Sequence, residues 1–435
     1  MISFSIKALA DLESLKRSGS ESQSDPENFH HSSKKHRSYL ELFFSFLYFL
    51  CIIPFKVKRR HGNELHLEKN RFQQTLCAFL HLSALYYQVQ EIISDNKQDV
   101  SKDPQIIFTI CFGIIDLLYI LSGIITLWKK QREIKKLLER LHSETNVKPS
   151  KFHFPKCILF CTVPFLACLL DICHLTFVEE IFSAKSDKFE NENFTELYLP
   201  SFQDCAWIQS GTEVICILTL LANIFLYNCL DTVLLILAIS GYEVTHRYSR
   251  SGEELRKLKG AHVPNRMDVD ALLHSNLVVN QSLNLRLYFE SINKFASGFF
   301  LFWFCSFVPW TAIHAMESLP GVKGSGRGTV LYNCCYIAYY GIIMTLCVES
   351  KKQIDHYKDI VCGILLRQEG LFTFAASGNT VKYVEYLLRD VSFSGGQFFH
   401  LSYKFLGSTV GTVVTYAFLA LQFHITPNVA EDNKG

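Results

Sequence analysis

Residues 406–425 read LGSTVGTVVTYAFLALQFHI, twenty residues without an Asp, Glu, Lys or Arg. A helix needs about 20 predominantly apolar residues to cross the hydrocarbon core of a bilayer, so the stretch reads as a membrane span. Wound as a helix, it sorts its side chains. Ser408, Thr412, Thr415, Leu419, Gln422, Phe423 and Thr426 fall within about 60° of one line. Val410, Val413, Val414, Phe418 and Leu421 occupy the opposite face. A hydroxyl-and-amide stripe turned to lipid would leave its polar groups without partners, so this one faces either neighbouring spans or water. Gly407 and Gly411 stand beside it at the spacing that lets helices approach closely. If the stripe lines a water path, Leu419 and Phe423 are its apolar rings, the makings of a hydrophobic gate. One helix cannot enclose a path, so that reading calls for an oligomer with this helix near the symmetry axis. Lys404 lies near the same line and can snorkel to the interface.

The rest of the chain supports a membrane protein. About half of its 435 residues are hydrophobic, 36 are Phe, and only 19% are charged. Apolar blocks recur at roughly 39–56, 72–93, 104–128, 155–183, 206–240, 295–316, 330–350 and 402–425. The first block is short, contains Pro54, and is basic on both sides, with Lys34, Lys35 and Arg37 before it and Lys56, Lys58, Arg59 and Arg60 after it. A segment whose two flanks carry the positive-inside signal returns to the side it left. The 39–56 block is therefore expected to be re-entrant or interfacial, which leaves seven spans.

Orientation follows from Lys and Arg. With the N-terminus inside, 35 of the 43 fall in segments 1–38, 56–71, 129–156, 241–294 and 351–401, and 7 in segments 94–103, 184–205, 317–329 and 426–435. That bias places the N-terminus in the cytoplasm and the C-terminus outside, the reverse of a G-protein-coupled receptor. The expected fold is an all-α membrane protein of seven transmembrane helices with a short N-terminal re-entrant segment. Its parts are a disordered cytoplasmic tail (1–38), the re-entrant segment (39–56), spans one to six with cytoplasmic helical extensions (72–350), a cytoplasmic anchor region (351–401), a pore-lining seventh span (402–425) and an extracellular tail (426–435). No secretory signal is read in the tail. The acidic loop 184–205 holds the sequon Asn193-Phe194-Thr195, with Asn193 a glycosylation candidate; Asn280-Gln281-Ser282 falls in a cytoplasmic segment and reads as chance. Block 206–240 outruns the membrane, and 131–141 and 272–292 are amphipathic, so a helical bundle is expected beneath the bilayer.

Several classes are excluded by what the sequence lacks. No phosphate loop, metal cluster or nucleophile–base set points to an enzyme. The 15 cysteines are scattered through apolar blocks, and Cys157 and Cys161, one turn apart, have nothing nearby to complete a metal site. No cofactor, metal or nucleic-acid partner is expected.

Within the last span, Thr415-Tyr416, five apolar residues and Gln422-Phe423 resemble the C-terminal signature of the arthropod gustatory receptors, relatives of the insect odorant receptors. The block ending Leu50-Cys51-Ile52-Ile53-Pro54-Phe55 is similar to a segment near the start of those proteins. The sequence departs from the family at Gly395-Gly396-Gln397-Phe398-Phe399, where the approach to the last span is offset by one residue. It also has Ala417 where sugar receptors carry an acid. The resemblance implies a plasma-membrane, ligand-gated, non-selective cation channel, a homotetramer or a co-assembly with related subunits. It implies that Gln422 and Phe423 lie near the extracellular constriction, with Thr415 and Tyr416 deeper on the same helix. It further implies a short cytoplasmic helix near Thr380–Asp390, and a tastant pocket inside each subunit, open toward the outer half. A G-protein-coupled receptor or a multipass transporter remains the alternative.

Candidate ligand contacts are the polar and aromatic residues in the outer halves of the spans: Asp116, Asp171, His174, Trp310, His314, Tyr332 and Tyr336. Intramembrane acids are costly and mark function or an internal partner. Asp171 and His174 could instead pair with each other, and Trp310 and Tyr332 could belong to the interfacial aromatic belt. An aromatic site with a few polar groups suits a small polyol or an alkaloid equally.

Overall fold

The computed structural model describes residues 39–59, 65–96, 105–145, 162–173, 206–260, 267–317, 327–366, 374–415 and 418. Helix α1 (Tyr39–Phe49) leads through a turn into an antiparallel hairpin of β1 (Lys56–Arg59) and β2 (Leu65–Glu68). Helices α2 (Arg71–Asn96), α3 (Gln105–Lys129), α4 (Gln131–Thr145) and α5 (Thr162–Cys173) follow. Three long helices come next, α6 (Ala206–Gly260), α7 (Met267–Glu317) and α8 (Arg327–Leu366), then α9 (Phe374–Leu388). A two-residue hairpin, β3 (Ser394–Gly395) and β4 (Phe399–His400), leads into α10 (residues 403–415).

Four of these helices, α3, α6, α7 and α8, are long and apolar enough to cross a membrane, and the chain is a multipass membrane protein. Their outward faces explain why. On α3 the exposed apolar residues Ile114, Leu118, Leu121 and Ile125 recur every three or four positions, one stripe along the helix. On α2 the same stripe runs through Phe72, Leu76, Phe79, Leu82, Tyr86, Val89 and Ile93. The inner face of α2 holds Cys77, His81, Ala84 and Gln88. That is the inverse of a water-soluble helix: apolar outside, small and polar inside. Lipid is as apolar as leucine, so small and hydrogen-bonding groups are the ones that hold such helices together.

At about 1.5 Å per residue, the 55-residue α6 and 51-residue α7 run roughly 80 Å and 75 Å, well past a ~30 Å hydrocarbon core. The surplus at their charged ends forms a second bundle. Amphipathic α4 buries Ile134, Leu137, Leu138 and Leu141 against α7, and Arg140 of α4 donates to the Leu287 carbonyl and to Ser291 Oγ. Lys130, at the joint of α3 and α4, donates to the Phe295 carbonyl at 3.1 Å, and burial holds its pKa below the ordinary lysine value. Both 131–141 and 272–292 are thus helical, as their periodicity predicts. Ser282 is fully buried in this bundle, while Asn280, the first residue of the same sequon, is exposed.

The 39–56 block forms an 11-residue helix, about 16 Å long and too short to cross a bilayer. It ends at Cys51, whose φ of 59° is left-handed, with Ile52 N–H bonded back to the Leu47 carbonyl at 2.9 Å. Gln73 of α2 caps the same turn through the Tyr48 carbonyl. Phe43, Phe44 and Phe55 are fully buried around it. The two hairpins are additions that no sequence pattern announced. The β1–β2 pair carries a Lys58–Glu68 ion pair at 2.5 Å, and the Lys58 hydrogen bond lowers the pKa of Glu68.

The second hairpin joins the long helices to α10, and it is held from three sides. Asn293 of α7 donates Nδ2 to the Ser392 carbonyl at 2.8 Å and accepts the Ser394 N–H at 3.1 Å. Gly396, at φ +63°, donates its N–H to the Ser297 carbonyl. Phe393 is fully buried between Phe289 and Phe300, with its ring tip against Gly241. A Cβ at Gly241 would come within 2.4 Å of that ring, so only glycine lets α6 meet the hairpin.

Candidate functional site

Where the long helices converge, apolar packing gives way to a lane of carboxylates, tyrosines and amides. Its first node is Asp171, on α5. Tyr332 and Tyr336 donate their hydroxyls to Asp171 Oδ1 at 3.0 and 2.6 Å, and Asn228 Nδ2 donates to Oδ2 at 2.6 Å. The Tyr336 hydroxyl also reaches Asn228 Oδ1 at 3.2 Å. Trp310 packs its ring 5.7 Å from Tyr336 and 5.6 Å from Tyr340, closing an aromatic wall.

The second node is Asp231, one helical turn after Asn228 on α6 and fully buried. Tyr119 of α3 donates to Oδ1 at 2.6 Å and Tyr340 of α8 to Oδ2 at 2.9 Å. The third node is Asp116, which accepts from Ser306 of α7; the same serine lies 3.5 Å from the Tyr227 hydroxyl. Tyr227 and Tyr119 meet edge to face at 5.1 Å.

The local sequence explains the convergence. Tyr332, Tyr336 and Tyr340 are spaced by four, so they form one ridge of α8. Asn228 and Asp231, spaced by three, share a face of α6. Asp116 and Tyr119 do the same on α3. Each acid takes its hydrogen bonds from neighbouring helices, as a polar group within a bilayer must. The lane therefore spans α3, α5, α6, α7 and α8.

Of the seven residues read from sequence, Asp171, Trp310, Tyr332 and Tyr336 come together at one node, and Asp116 stands at another. His174, the suggested partner of Asp171, lies outside the described residues; among those described, Asp171 bonds to Asn228 and the two tyrosines. His314 falls on α7, its side chain outside those described. Sequence reading missed Asn228, Asp231, Tyr119, Tyr227, Tyr340 and Ser306. Asp231 did carry a signal, an acid deep in the 206–240 block, and so did the four-residue tyrosine period.

The second candidate site is α10. Thr412 and Thr415 are exposed, and each hydroxyl bonds back to a carbonyl four residues earlier, Ser408 at 2.9 Å and Gly411 at 2.8 Å. Ser408, Gly407 and Gly411 are also exposed, and a Cβ on either glycine would meet nothing. Val410, Val414 and Phe418 are bare on another face. Only Phe405, Leu406, Thr409 and Val413 are partly or wholly covered by the subunit. At its start, Tyr403 donates to Glu349 Oε2 at 2.5 Å, with the Lys352 ammonium 5.8 Å from the Tyr403 ring. Tyr416, Leu419, Gln422, Phe423 and the sequon Asn193 lie outside the described residues. The described cysteines are free thiols, and among the described residues no His, Cys, Asp or Glu group has the arrangement to hold a metal ion.

No protein-family model and no curated protein matches this sequence. Solved structures do. The insect olfactory receptor OR5 from Machilis hrabei superposes with a TM-score of 0.59 at 14% identity, over 88% of this chain and 97% of that one. The same receptor in complex with eugenol superposes with a TM-score of 0.59 at 13% identity, over 88% of this chain and 98% of that one. With nearly the whole of both chains aligned, this protein shares the fold of the insect olfactory receptors, the architecture toward which its C-terminal motif points.

Proposed function

We propose that the protein is a chemosensory receptor of gustatory type, a ligand-gated, non-selective cation channel opened by a small-molecule tastant. The observation that carries this reading is the bareness of α10. A helix with hydroxyls on one face and valines on another, covered by its own subunit along only one stripe, is built for two surroundings. The valine and phenylalanine face suits lipid. The face of Ser408, Gly411, Thr412 and Thr415 suits copies of itself around a water-filled axis. Four subunits, alike or mixed with related chains, complete the channel in the plasma membrane. The chain crosses seven times, with its N-terminus and basic loops in the cytoplasm and its C-terminus outside. Residues 39–56 dip into the bilayer and return, and the charged bundle with residues 351–401 anchors the subunits beneath it.

In this arrangement the tastant binds in the lane around Asp171, and the hairpin at 394–400 carries the signal to α10. The complex of the similar olfactory receptor with eugenol supports a small, partly aromatic ligand of this kind. Gln422 and Phe423 form the outer constriction, with Leu419 below it. Recording whole-cell currents from cells expressing Gln422→Ala and Phe423→Ala tests the assignment. Altered basal leak or relative cation permeability is expected; wild-type currents in both variants would contradict the placement of the constriction.

A further inference from the structure

We infer that the Asp171 site takes a cationic amine, a protonated or quaternary ammonium held between the carboxylate and the surrounding ring faces. This rests on the ligand-gated reading above and names its ligand class. The charge of the surroundings is the first reason. The helical segments 105–120, 162–173, 206–231, 300–317 and 327–345, which contain the lane, carry Asp116, Asp171, Glu213, Asp231 and Glu317 against a single cation, Arg327 at the first residue of α8. Low-dielectric surroundings strengthen every such interaction, so a positive guest is favoured and an anionic one opposed.

Ring geometry is the second reason. Tyr332 and Tyr336, which meet the carboxylate with their hydroxyls, have rings 4.9 Å apart, and Trp310 stands 5.7 Å from Tyr336, so three aromatic rings gather beside the acid. The faces of such rings attract ammonium groups, quaternary ones included. Asp171, like Asp116, is half-buried, whereas Asp231, farther along the lane, is sealed. Of the two half-buried acids, Asp171 is the one that takes hydrogen bonds from two tyrosines.

A third observation points to a guest independently of charge. Trp303 Nε1 and Thr311 Oγ1 are buried on α7 without a hydrogen-bond partner. The Trp303 ring packs 5.8 Å from Tyr340, which in turn packs against Tyr336, and Thr311 follows Trp310 in the chain. A buried indole N–H without an acceptor is a costly feature, and beside this lane it suits a neutral oxygen on the guest. The guest is then an ammonium with an aromatic or oxygen-bearing body.

The test compares benzyltrimethylammonium with its uncharged isostere neopentylbenzene on the purified full chain in detergent, by thermal unfolding, and on expressing cells, by current recording. The ammonium should raise the unfolding temperature and act at a concentration about tenfold or more below the isostere. Asp171→Asn should abolish that preference and Asp171→Glu should restore part of it. Equal effects of the two compounds, stabilisation by neither, or a preference that survives in a folded Asp171→Asn variant would overturn the amine assignment. Channel opening by the uncharged member alone overturns it too, while leaving the ligand-gated reading intact. Ammonium stabilisation in a surface-expressed chain that never passes current would keep the amine site and sink the channel.

Discussion

Replacing Asn293 with alanine should loosen the joint between the helical bundle and α10 without disturbing either one. Its amide makes two hydrogen bonds to the hairpin backbone, at 2.8 Å to the Ser392 carbonyl and 3.1 Å from the Ser394 N–H. Both of those residues are buried, Ser392 at 1% and Ser394 at 5% exposed, so water cannot replace the lost partner. A stranded buried polar group costs about 1–3 kcal/mol, which for two groups gives roughly 2–6 kcal/mol. Local opening of a segment is governed by its own free energy, and about 2 kcal/mol already multiplies the open population about thirtyfold. Hydrogen–deuterium exchange of the purified variant should therefore accelerate about thirtyfold or more across residues 391–401. Exchange in the α6–α8 core should stay as in the wild type. Asn293→Asp keeps the acceptor for Ser394 but sets an oxygen against the Ser392 carbonyl, so it should accelerate exchange as well. Unchanged exchange at the hairpin, or acceleration spread evenly through the chain, would refute the claim that Asn293 clamps this joint. If the joint carries the gating signal, Asn293→Ala should also flatten the ligand response while leaving surface expression intact.

Asp231→Ala strands the hydroxyls of Tyr119 and Tyr340 in a sealed core and should destabilise the subunit by about 2–5 kcal/mol, read as a lowered unfolding temperature in detergent. The triple variant that adds Tyr119→Phe and Tyr340→Phe should recover much of that loss, since no polar group is then left unpaired. Gln281→Ala should leave permeation unchanged, because that side chain bonds to Ser251 and Tyr357 in the charged bundle; a changed reversal potential would count against the layout. An epitope at the C-terminus should be stained on intact cells and one at the N-terminus only after permeabilisation, and the opposite pattern would reverse the proposed topology.

Much of the fold was legible in the sequence because lipid imposes simple rules. Long apolar blocks announced α3, α6, α7 and α8, and alternation of charge and leucine announced α4. The 39–56 block was marked as non-spanning by the basic residues on both its flanks, and residues 39–49 of it fold as a short helix. Helix α2 is harder to read, since its inward face is His81 and Gln88 and its outward face is phenylalanine and leucine; averaged over the segment the two blur. The hairpins were not legible, because each consists of only two or four paired residues per strand and is fixed by distant partners such as Asn293. At the site, aromatic and acidic residues in outer half-spans led to Asp171, Trp310, Tyr332 and Tyr336. The hydrogen bond between Asp171 and Asn228 depends on how α5 packs against α6, which no local spacing encodes. Asp231 was readable on the same logic as Asp116, as an acid inside a span, but it was masked by the length of the block around it.

The central claim is that this chain lines an ion path opened by ligand, in its simplest form as a homotetramer. The most direct measurement is reconstitution of the purified chain, with no other protein, into a planar lipid bilayer, with single-channel recording before and after addition of ligand. Discrete cation-selective openings, more frequent with ligand and altered in conductance by Gln422→Ala, are the predicted result. A silent bilayer containing folded, correctly inserted protein and a bound ligand would contradict the account.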